Sequence, residues 1–456
     1  MDESIHARTV VQGYQFALDP TPAQEAALRS HCGAQWFAFN WGLAQVKANL
    51  AQRAAERSYD VGPDALTPAL SWSAYGLRKA WNRAKDAEAP WWNQNSKETY
   101  SSGLANLSAA LGAWTASRSG ERNGSAVRFP QFKARRARMS CRFTTGAFGL
   151  VDADRRHVRL PRIGIVRTHE STRKLARRIG CGTARIRSAT VTHERGRWQV
   201  SFSVEVRCRD VAPVLSHTVV GVDLGITSLA VLSTGEVVPN PRHLDGVLRE
   251  LRRLQRQAAR RSGPDRRTGR APSVRWRATR SRIAKLHTRV ANARRNGLHQ
   301  LTSRLTRTFG TIVVEDLHVA GMLRNRRLAR HVAGVGWAEL RRQMDYKTRW
   351  RGTRLAMADR WYPSSKTCSR CGAVRAKLRL SERVFRCDQC FLVLDRDLNA
   401  ARNLAALVSS HSWWATGNEP DGNPDKTRTP RAAGTATGRS NPWGLGQRRH
   451  REVTAA

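Results

Sequence analysis

Hydrophobic and polar residues follow three successive patterns along the chain, and the first is helical. A short alternating segment at residues 14–18 is typical of a strand. Thr21 then supplies a helix N-cap and Pro22 the first helical position. A second helical block spans residues 71–114, with a break near Pro90 and large apolar residues at helical spacing. We expect the aromatic residues of this region to form a core rather than to stack on bases.

Short strands dominate the second pattern, which covers residues 141–207. Glycines and charged turns separate four apolar runs. These runs occupy residues 158–160, 163–167, 186–193 and 198–206. Together with the early strand at residues 14–18, they predict a small β-barrel that is interrupted by the helical block.

Apolar strands that end in an acidic residue mark the third pattern, which begins at His217. Residues 218–226 present Asp223 near the end of one such strand, and a further strand follows at residues 229–232. Residues 311–317 repeat the arrangement with Glu315. A carboxylate at the end of a buried strand is costly unless it is paired or binds a cation. The pattern therefore predicts a site rather than a plain core.

A third acidic segment, residues 395–403, begins a helix with Asp397 in its first turn. Two strand ends and one helix start thus supply three carboxylates, Asp223, Glu315 and Asp397. Such a set holds two Mg²⁺ ions in RNase H-like nucleases, where water attacks a phosphodiester in line. Asp395 is expected to be a helix cap or turn residue instead.

Two C-x2-C pairs, Cys368 with Cys371 and Cys387 with Cys390, lie just before this acidic segment. Two such turns can supply the tetrahedral thiolate set of a structural zinc. The alternative is a set of unrelated core cysteines or disulfides. The other four cysteines are isolated and are expected to be ordinary buried thiols. They are Cys32, Cys141, Cys181 and Cys208.

An arginine-rich helical hairpin is predicted between the first two acids, with arms at residues 244–261 and 274–305. Each arm carries one apolar stripe, and its remaining faces are almost uniformly basic. A solvated charged face normally mixes signs, so these faces predict contact with a polyanion. The candidate contact residues are Arg252, Arg256, Arg260, Arg277 and Arg280.

A mixed aromatic and basic stretch at residues 128–136 fits either a nucleic-acid contact or a solvated loop. Its candidate contact residues are Arg128, Lys133, Arg135 and Arg136.

The net charge of the chain indicates which kind of molecule it binds. The 456-residue chain has a formal net charge of +45 and a sequence pI near 11.6. So large an excess would repel itself unless a polyanion neutralised part of it, which favours nucleic acid. We find neither a run long enough for a membrane span nor a secretory h-region. We therefore expect a cytoplasmic protein that acts at the bacterial nucleoid, with no membrane partner.

In this order, four segments closely resemble TnpB, the RNA-guided nuclease of insertion sequences, and its relatives the compact type V CRISPR effectors. They are residues 221–226 (GVDLGI), 313–317 (VVEDL), 361–372 (WYPSSKTCSRCG) and 395–403 (DRDLNAARN). The likeness extends to residues 14–24, to Asn40-Trp41 and to residues 128–133, and it covers most of residues 10–407. The combination is far more specific than any one motif.

The resemblance implies an α/β multidomain fold. A wedge β-barrel (residues 11–20 and 125–212) would carry an inserted helical recognition domain (21–124). An RNase H-like RuvC nuclease domain would follow (213–362 and 392–407), with the basic hairpin at 242–309 and a zinc knuckle at 363–391. Residues 1–10 would be flexible. The Gly-, Pro-, Thr- and Arg-rich segment 408–456 would be a disordered basic tail.

By the same resemblance, Asp223, Glu315 and Asp397 would bind Mg²⁺ and the four cysteines of the two C-x2-C pairs would bind zinc. The protein would hold a guide RNA from the end of its element, read a short motif beside the target, and cut double-stranded DNA after guide pairing. A compact CRISPR effector, a guide-directed DNA-binding regulator without cleavage, and a conventional transposase are alternatives. The complete acid set disfavours the regulator. The knuckle and the lack of a helix-turn-helix array disfavour the transposase.

Overall fold

The computed structural model describes residues 7–122, 124–134, 137–152, 154–194, 196–209, 213–265, 267–379 and 381–409. The predicted disordered tail lies outside these residues from position 410 onward, and so do Arg135 and Arg136. The described part of the chain is a mixed α/β structure with three sheets.

The first sheet is antiparallel and collects the predicted short strands. Its strands are β1 (Ala7–Asp19), β2 (Met139–Phe143), β3 (Gly149–Leu150), β4 (His157–Leu160), β5 (Gly164–Thr168), β6 (Ala184–Glu194) and β7 (Arg197–Arg209). Within the described residues their order is β2-β6-β7-β1-β5-β4-β3. The alternating apolar face of these strands forms one core, in which Phe16 lies 6.2 Å from Phe202 between ring centroids. Closure of this sheet into a barrel stays a prediction.

The expected flexible N-terminus is wrong for residues 7–10. These residues belong to β1, which pairs with β7 from Ala7 opposite Arg209 to Leu18 opposite Trp198. The sequence interpretation missed this part because residues 7–13 lack a regular apolar alternation. Cross-strand pairing, which a single strand does not reveal, orders them.

Three helices form the predicted helical layer: α1 (Pro22–Ser58), α2 (Ala74–Glu88) and α3 (Lys97–Arg118). Thr21 caps α1 as predicted, because its hydroxyl accepts from the backbone N–H of Gln24 while the Gln24 side chain accepts from the N–H of Thr21. The aromatic residues pack together, with Trp81 stacked on Tyr100 at 5.2 Å. The prediction of an aromatic core is confirmed for the buried residues Phe39, Trp41 and Trp81, whereas Tyr59 and Tyr75 are exposed.

The second sheet contains the strands that end in acids. It comprises β8 (Leu215–Asp223), β9 (Ser228–Leu232), β10 (Val237–Pro239), β11 (Phe309–Glu315) and β12 (Arg354–Ala358), in the order β10-β9-β8-β11-β12. β8 ends at Asp223 rather than at residue 226. β11 lies parallel to both β8 and β12, with Val222 opposite Val314. Asp223 and Glu315 therefore follow at the same edge of the sheet.

Helices connect the strands of the second sheet. The predicted basic hairpin is formed by α5 (Leu248–Ala259) and α6 (Val274–Thr308), whose apolar stripes meet at Leu251, Leu254, Ile283 and Leu286. Three further helices, which the sequence interpretation did not include, join β11 to β12. They are α7 (Val319–Met322), α8 (Ala329–Val335) and α9 (Trp337–Arg351). In the first sheet, α4 (Arg173–Gly180) connects β5 to β6, and the sequence interpretation did not include this helix either.

The first cysteine pair precedes a small hairpin, the second pair lies in the turn of that hairpin, and the final helix begins directly after it. β13 (Val384–Arg386) and β14 (Val393–Asp395) pair antiparallel, and α10 (Arg396–Ser409) follows. The helix thus includes residues 408 and 409, which were expected to open the disordered tail. Among the described residues, no helix combines the length and apolar character that crossing a membrane would require.

The prediction that all four isolated cysteines are buried is correct for two of them and wrong for the other two. Cys32 and Cys141 are fully buried in the first core, whereas Cys181 is exposed and Cys208 is only half-buried. Cys181 is the residue that follows the last turn of α4.

Candidate metal centres

A close contact between a strand and a helix brings the third acid to the first two. A Cβ on Gly221 in β8 would overlap the backbone carbonyl oxygen of Ala401 in α10, so only glycine lets the helix lie this near the strand. Asp223 is two residues beyond Gly221 and therefore on the same face of β8. Asp397 is four residues before Ala401 and therefore on the same face of α10. The contact thus carries Asp397 toward Asp223.

The three carboxylates influence one another electrostatically. Burial raises the pKa of Asp223 to about 8, and the charges of Glu315 and Asp397 add to this rise. Burial also raises the pKa of Glu315, opposed by a hydrogen bond from the Ser364 hydroxyl at 2.7 Å and reinforced by the charge of Asp397. Each rise in pKa indicates a carboxyl group that is costly to ionise, first because it is buried and then because like charges lie near it. A bound cation would relieve this cost, and carboxylate oxygens are ligands that Mg²⁺ prefers.

Arginines beside Asp397 balance part of this negative charge. The Arg396 guanidinium lies 3.3 Å from Asp397 Oδ1, and that of Arg383 lies 4.0 Å from Oδ2. Asp395 accepts hydrogen bonds from the backbone N–H groups of Asp397 and Leu398 at 2.9 and 3.0 Å. Asp395 is therefore a helix cap, as the sequence predicted.

Asp316 shows why Glu315, and not its neighbour, is the candidate ligand. The guanidinium groups of Arg341 and Arg360 contact the Asp316 carboxylate at 2.6 and 2.5 Å. Burial opposes ionisation of Asp316, but the hydrogen bonds from Arg360 and Arg341 hold its pKa below the ordinary value. This carboxylate is already satisfied by cations of the chain itself.

The four cysteines of the two C-x2-C pairs form one cluster, whose Sγ atoms all lie within 4.8 Å of one another. Cys368 and Cys390 approach to 3.5 Å, as do Cys371 and Cys387. All four are free thiols rather than disulfides. A zinc tetrahedron with Zn–S bonds of about 2.3 Å has S···S edges of about 3.8 Å. The cluster therefore fits a zinc site.

Backbone groups prepare one of these cysteines for metal binding. Hydrogen bonds from the N–H groups of Cys390 and Gln389 lower the pKa of the Cys387 thiol to about 6. At Cys371 the hydrogen bond from the Ala373 N–H is outweighed by burial and by the other three thiols, which raise the pKa of Cys371 to about 12. The thiolate is the form that ligates zinc. The tight turn from Cys387 to Cys390 thus favours the ligating form as well as the ligand spacing.

The predicted nucleic-acid contact residues lie on exposed surfaces wherever the structure describes them. The hairpin arginines Arg252, Arg256, Arg260, Arg277 and Arg280 are exposed, and so are Arg128 and Lys133. The backbone of Lys133 is fixed by two hydrogen bonds to the Asn40 side chain, at 2.7 and 3.1 Å. Arg135 and Arg136 lie outside the described residues.

Sequence reasoning did not single out Ser364, Asn399 or Asn403. Ser364 lies in the WYPSSK motif, and its hydroxyl is bonded to Glu315. Asn399 and Asn403 are buried residues of α10, four positions apart. Polar residues repeated at helical spacing on an otherwise apolar face were the signal that could have revealed them.

Family models match three parts of the chain. The model described as "Probable transposase" matches residues 199–326, and the one described as "Cas12f1-like, TNB domain" matches residues 337–404. A third, described as "Helix-turn-helix domain", matches residues 10–54. In the structure those last residues form β1 and the single uninterrupted helix α1.

Whole-chain relatives agree with the family models. "Putative RNA-guided DNA endonuclease MT2953" of Mycobacterium tuberculosis is 39% identical over 87% of this chain and 86% of its own length. "Putative RNA-guided DNA endonuclease InsQ" of Escherichia coli K12 is 30% identical over 89% and 94%.

Among solved structures, a Cas12f1-sgRNA-target DNA complex matches 87% of this chain and 99% of its own, at 12% identity and a TM-score of 0.45. The sequence relationship carries the assignment, because it extends over most of both chains at 39% identity. The chain belongs to the TnpB family, whose motifs its sequence carries.

Proposed function

We propose that this chain is an RNA-guided DNA endonuclease of a transposable element. Its membership of the TnpB family supports the proposal, since the relatives described above bear that activity in their names. The observation that carries it is the electrostatic interaction of Asp223, Glu315 and Asp397, three acids from distant segments. Burial raises the pKa values of Asp223 and Glu315, and the charges of the neighbouring acids add to the rise.

The chemistry proposed for this site is metal-assisted hydrolysis of a phosphodiester. Divalent cations bound at such a site would supply activation of the attacking water and stabilisation of the departing oxygen. Asp223, Glu315 and Asp397 would hold them, and Ser364 would orient Glu315. Because burial raises the pKa of Asp223 to about 8, this carboxyl group would release its proton when it binds a cation.

The remaining parts have proposed roles around this centre. The first sheet would be the wedge domain, α1 to α3 the recognition domain, and the second sheet with α10 the RuvC domain. The cysteine cluster would be a structural zinc knuckle. The exposed arginines of α5 and α6, with Arg128 and Lys133, would contact guide RNA and target DNA. Guide pairing would then supply most of the specificity, next to a short motif in the target.

Co-purification and cleavage test this proposal together. The protein is expressed with the RNA that flanks its gene, the bound RNA is sequenced, and the complex is given Mg²⁺ and a plasmid library with a randomised adjacent motif. We expect cleavage of guide-matched plasmids by the wild type and none by Asp223→Ala. The matched control is Asp345→Asn, which changes an exposed acid on α9 and should leave cleavage intact.

The outcomes separate the proposal from its alternatives. Equal behaviour of wild type and Asp223→Ala would refute the nuclease assignment. Guided binding without cleavage would instead identify a DNA-binding regulator. RNA transcribed from a neighbouring repeat array, rather than from an element end, would identify a CRISPR effector.

A further inference from the structure

Hydrogen bonds, one of them buried and the others partly buried, join residues 364–369 to α10. Asn403 Nδ2 donates to the backbone carbonyls of Ser364 and Thr367 at 2.7 and 2.6 Å. One turn earlier, Asn399 Nδ2 donates to the same Thr367 carbonyl at 2.7 Å. Both amides are nearly inaccessible, with 4% and 0% exposure. Buried amides left without partners would be costly, so these hydrogen bonds stabilise the packing of the two asparagines against the carbonyls of Ser364 and Thr367.

The orientation of both amides is fixed by their partners. Backbone carbonyls only accept, so both bonds of Asn403 require its nitrogen. Asn399 also accepts from the Ser369 N–H through Oδ1 at 2.9 Å. Neither side chain could be turned over without placing like groups together. The two asparagines, called here the asparagine pair, therefore hold residues 364–369 in one position on α10.

That segment lies between the two metal centres. At its start, Ser364 is 5% exposed and its hydroxyl bonds to Glu315 at 2.7 Å. At its end, Cys368 belongs to the cysteine cluster and Ser369 bonds to Asn399. The helix that carries the asparagine pair also carries Asp397 in its first turn. One short network thus connects Glu315, Asp397 and the cluster.

We propose that Asn399, Asn403 and Ser364 are positioning residues, which fix the Glu315 carboxylate relative to Asp397 and couple the acid centre to the folded cysteine cluster. This inference rests on the proposed function. Ser364 acts on Glu315 directly. The asparagine pair acts through the backbone of Ser364 and Thr367, and the cluster fixes the far end of the same segment.

Mg²⁺ binding without nucleic acid provides the readout. The melting temperature of the zinc-loaded protein is measured against Mg²⁺ concentration, since a cation that binds only the folded state raises it. Asp223→Asn shows how the melting temperature depends on Mg²⁺ when the acid centre, formed by Asp223, Glu315 and Asp397, has lost one carboxylate. Zinc content is measured on every sample, and guided cleavage is measured afterwards over the same Mg²⁺ range.

We expect Ser364→Ala and Asn403→Asp to raise the Mg²⁺ concentration needed for half of the stabilisation about 10- to 100-fold, as is usual when a ligand loses its orienting partner. Asn403→Asp keeps the shape and removes both donors. Its added negative charge would by itself strengthen cation binding, so weaker binding must come from the lost donors. Asn399→Asp keeps its acceptor and should have a smaller effect. Arg402→Lys, on the exposed face of α10, is the control.

Each outcome decides the matter. A displaced Mg²⁺ midpoint with zinc content unchanged supports the positioning role. A midpoint equal to that of Arg402→Lys, even with a lower melting temperature, overturns it and leaves the nuclease proposal intact. If the wild type itself responds to Mg²⁺ no more than Asp223→Asn, the acid centre is wrongly assigned and both proposals fail. The comparison of wild type with Asp223→Asn is enough to reveal that failure, so it does not depend on the variants of Ser364, Asn399 or Asn403.

Discussion

The acid centre and the cysteine cluster are neighbours that are assembled in opposite ways. The cluster is local, since its outermost cysteines, Cys368 and Cys390, are 22 positions apart and two tight turns create its geometry. The acid centre combines three distant segments and depends on parallel pairing of β8 with β11 and on the contact of α10 with Gly221. A local site should therefore survive a disturbance of the fold that destroys the distributed one.

The largest expected effect comes from breaking the local site. Cys387→Ser replaces a thiolate by a poor zinc ligand, so zinc content should fall from one ion per chain to nearly none. The segment that holds Ser364 would then lose its anchor, and we expect the Mg²⁺ requirement of cleavage to rise as well. Metal analysis and a Mg²⁺ titration of cleavage measure both. Unchanged zinc content would show that the cluster is not a zinc site.

A change at the contact between β8 and α10 should disrupt the acid centre and leave the cysteine cluster intact. Gly221→Ala places a methyl group against the Ala401 carbonyl, and displacement of α10 should cost about 1–3 kcal/mol of unfolding free energy. Guided cleavage should be lost while zinc stays bound. Gly297→Ala is the control, because a Cβ there meets nothing within 4 Å and lies inside α6. It should stabilise the chain by up to about 1 kcal/mol. Wild-type cleavage by Gly221→Ala would mean that the close contact is unnecessary.

The difference between a local site and a site built from distant segments also explains which parts of each could be predicted from the sequence. The C-x2-C spacing specifies the cysteine cluster almost alone. Asp223, Glu315 and Asp397 were recognisable because each follows an apolar strand or opens a helix, and because their motifs resemble those of TnpB. Their convergence needed the register of β8 and β11, which is a tertiary property.

Other elements could not be read from one chain. Asn399 and Asn403 bind backbone carbonyls and Ser364 binds the Glu315 carboxylate, all distant in sequence. Helical spacing could have marked the two asparagines as buried polar residues, but it does not reveal these partners. Residues 7–10 are ordered by β7, and α9 has a weak apolar periodicity interrupted by Arg341 and Arg342. Cys181 was placed in the core although it follows a short basic helix whose end is exposed.

A smaller effect should appear in the pH dependence of stability without divalent cations. Because the pKa of Asp223 is raised to about 8 in the folded state, folded protein keeps a proton that unfolded protein releases. Unfolding free energy should therefore fall as pH rises from about 4 to about 8, on the order of a few kcal/mol at most. Asp223→Asn should remove much of this slope, and Mg²⁺ should restore stability at pH 8. Chemical denaturation at several pH values measures it. A slope that Asp223→Asn leaves unchanged would contradict the assigned burial.

The smallest effect concerns the basic hairpin outside both centres. Arg256→Ala removes one exposed positive charge from α5. Guide RNA binding should weaken modestly, and the slope of log affinity against log salt should decrease by about 1. Arg349→Ala on α9, where the arginine is paired with Asp345, should change the slope less. Equal slopes for wild type and Arg256→Ala would remove this face from the RNA contact.

The central claim is that Asp223, Glu315 and Asp397 form one metal-binding nuclease centre. Anomalous diffraction at the manganese edge, from crystals of the RNA-bound protein grown with Mn²⁺, locates divalent ions without reference to activity. We predict anomalous density in contact with all three carboxylates, and its loss in Asp223→Asn crystals. Manganese bound only elsewhere, or density at these acids that persists unchanged in Asp223→Asn, would contradict the account.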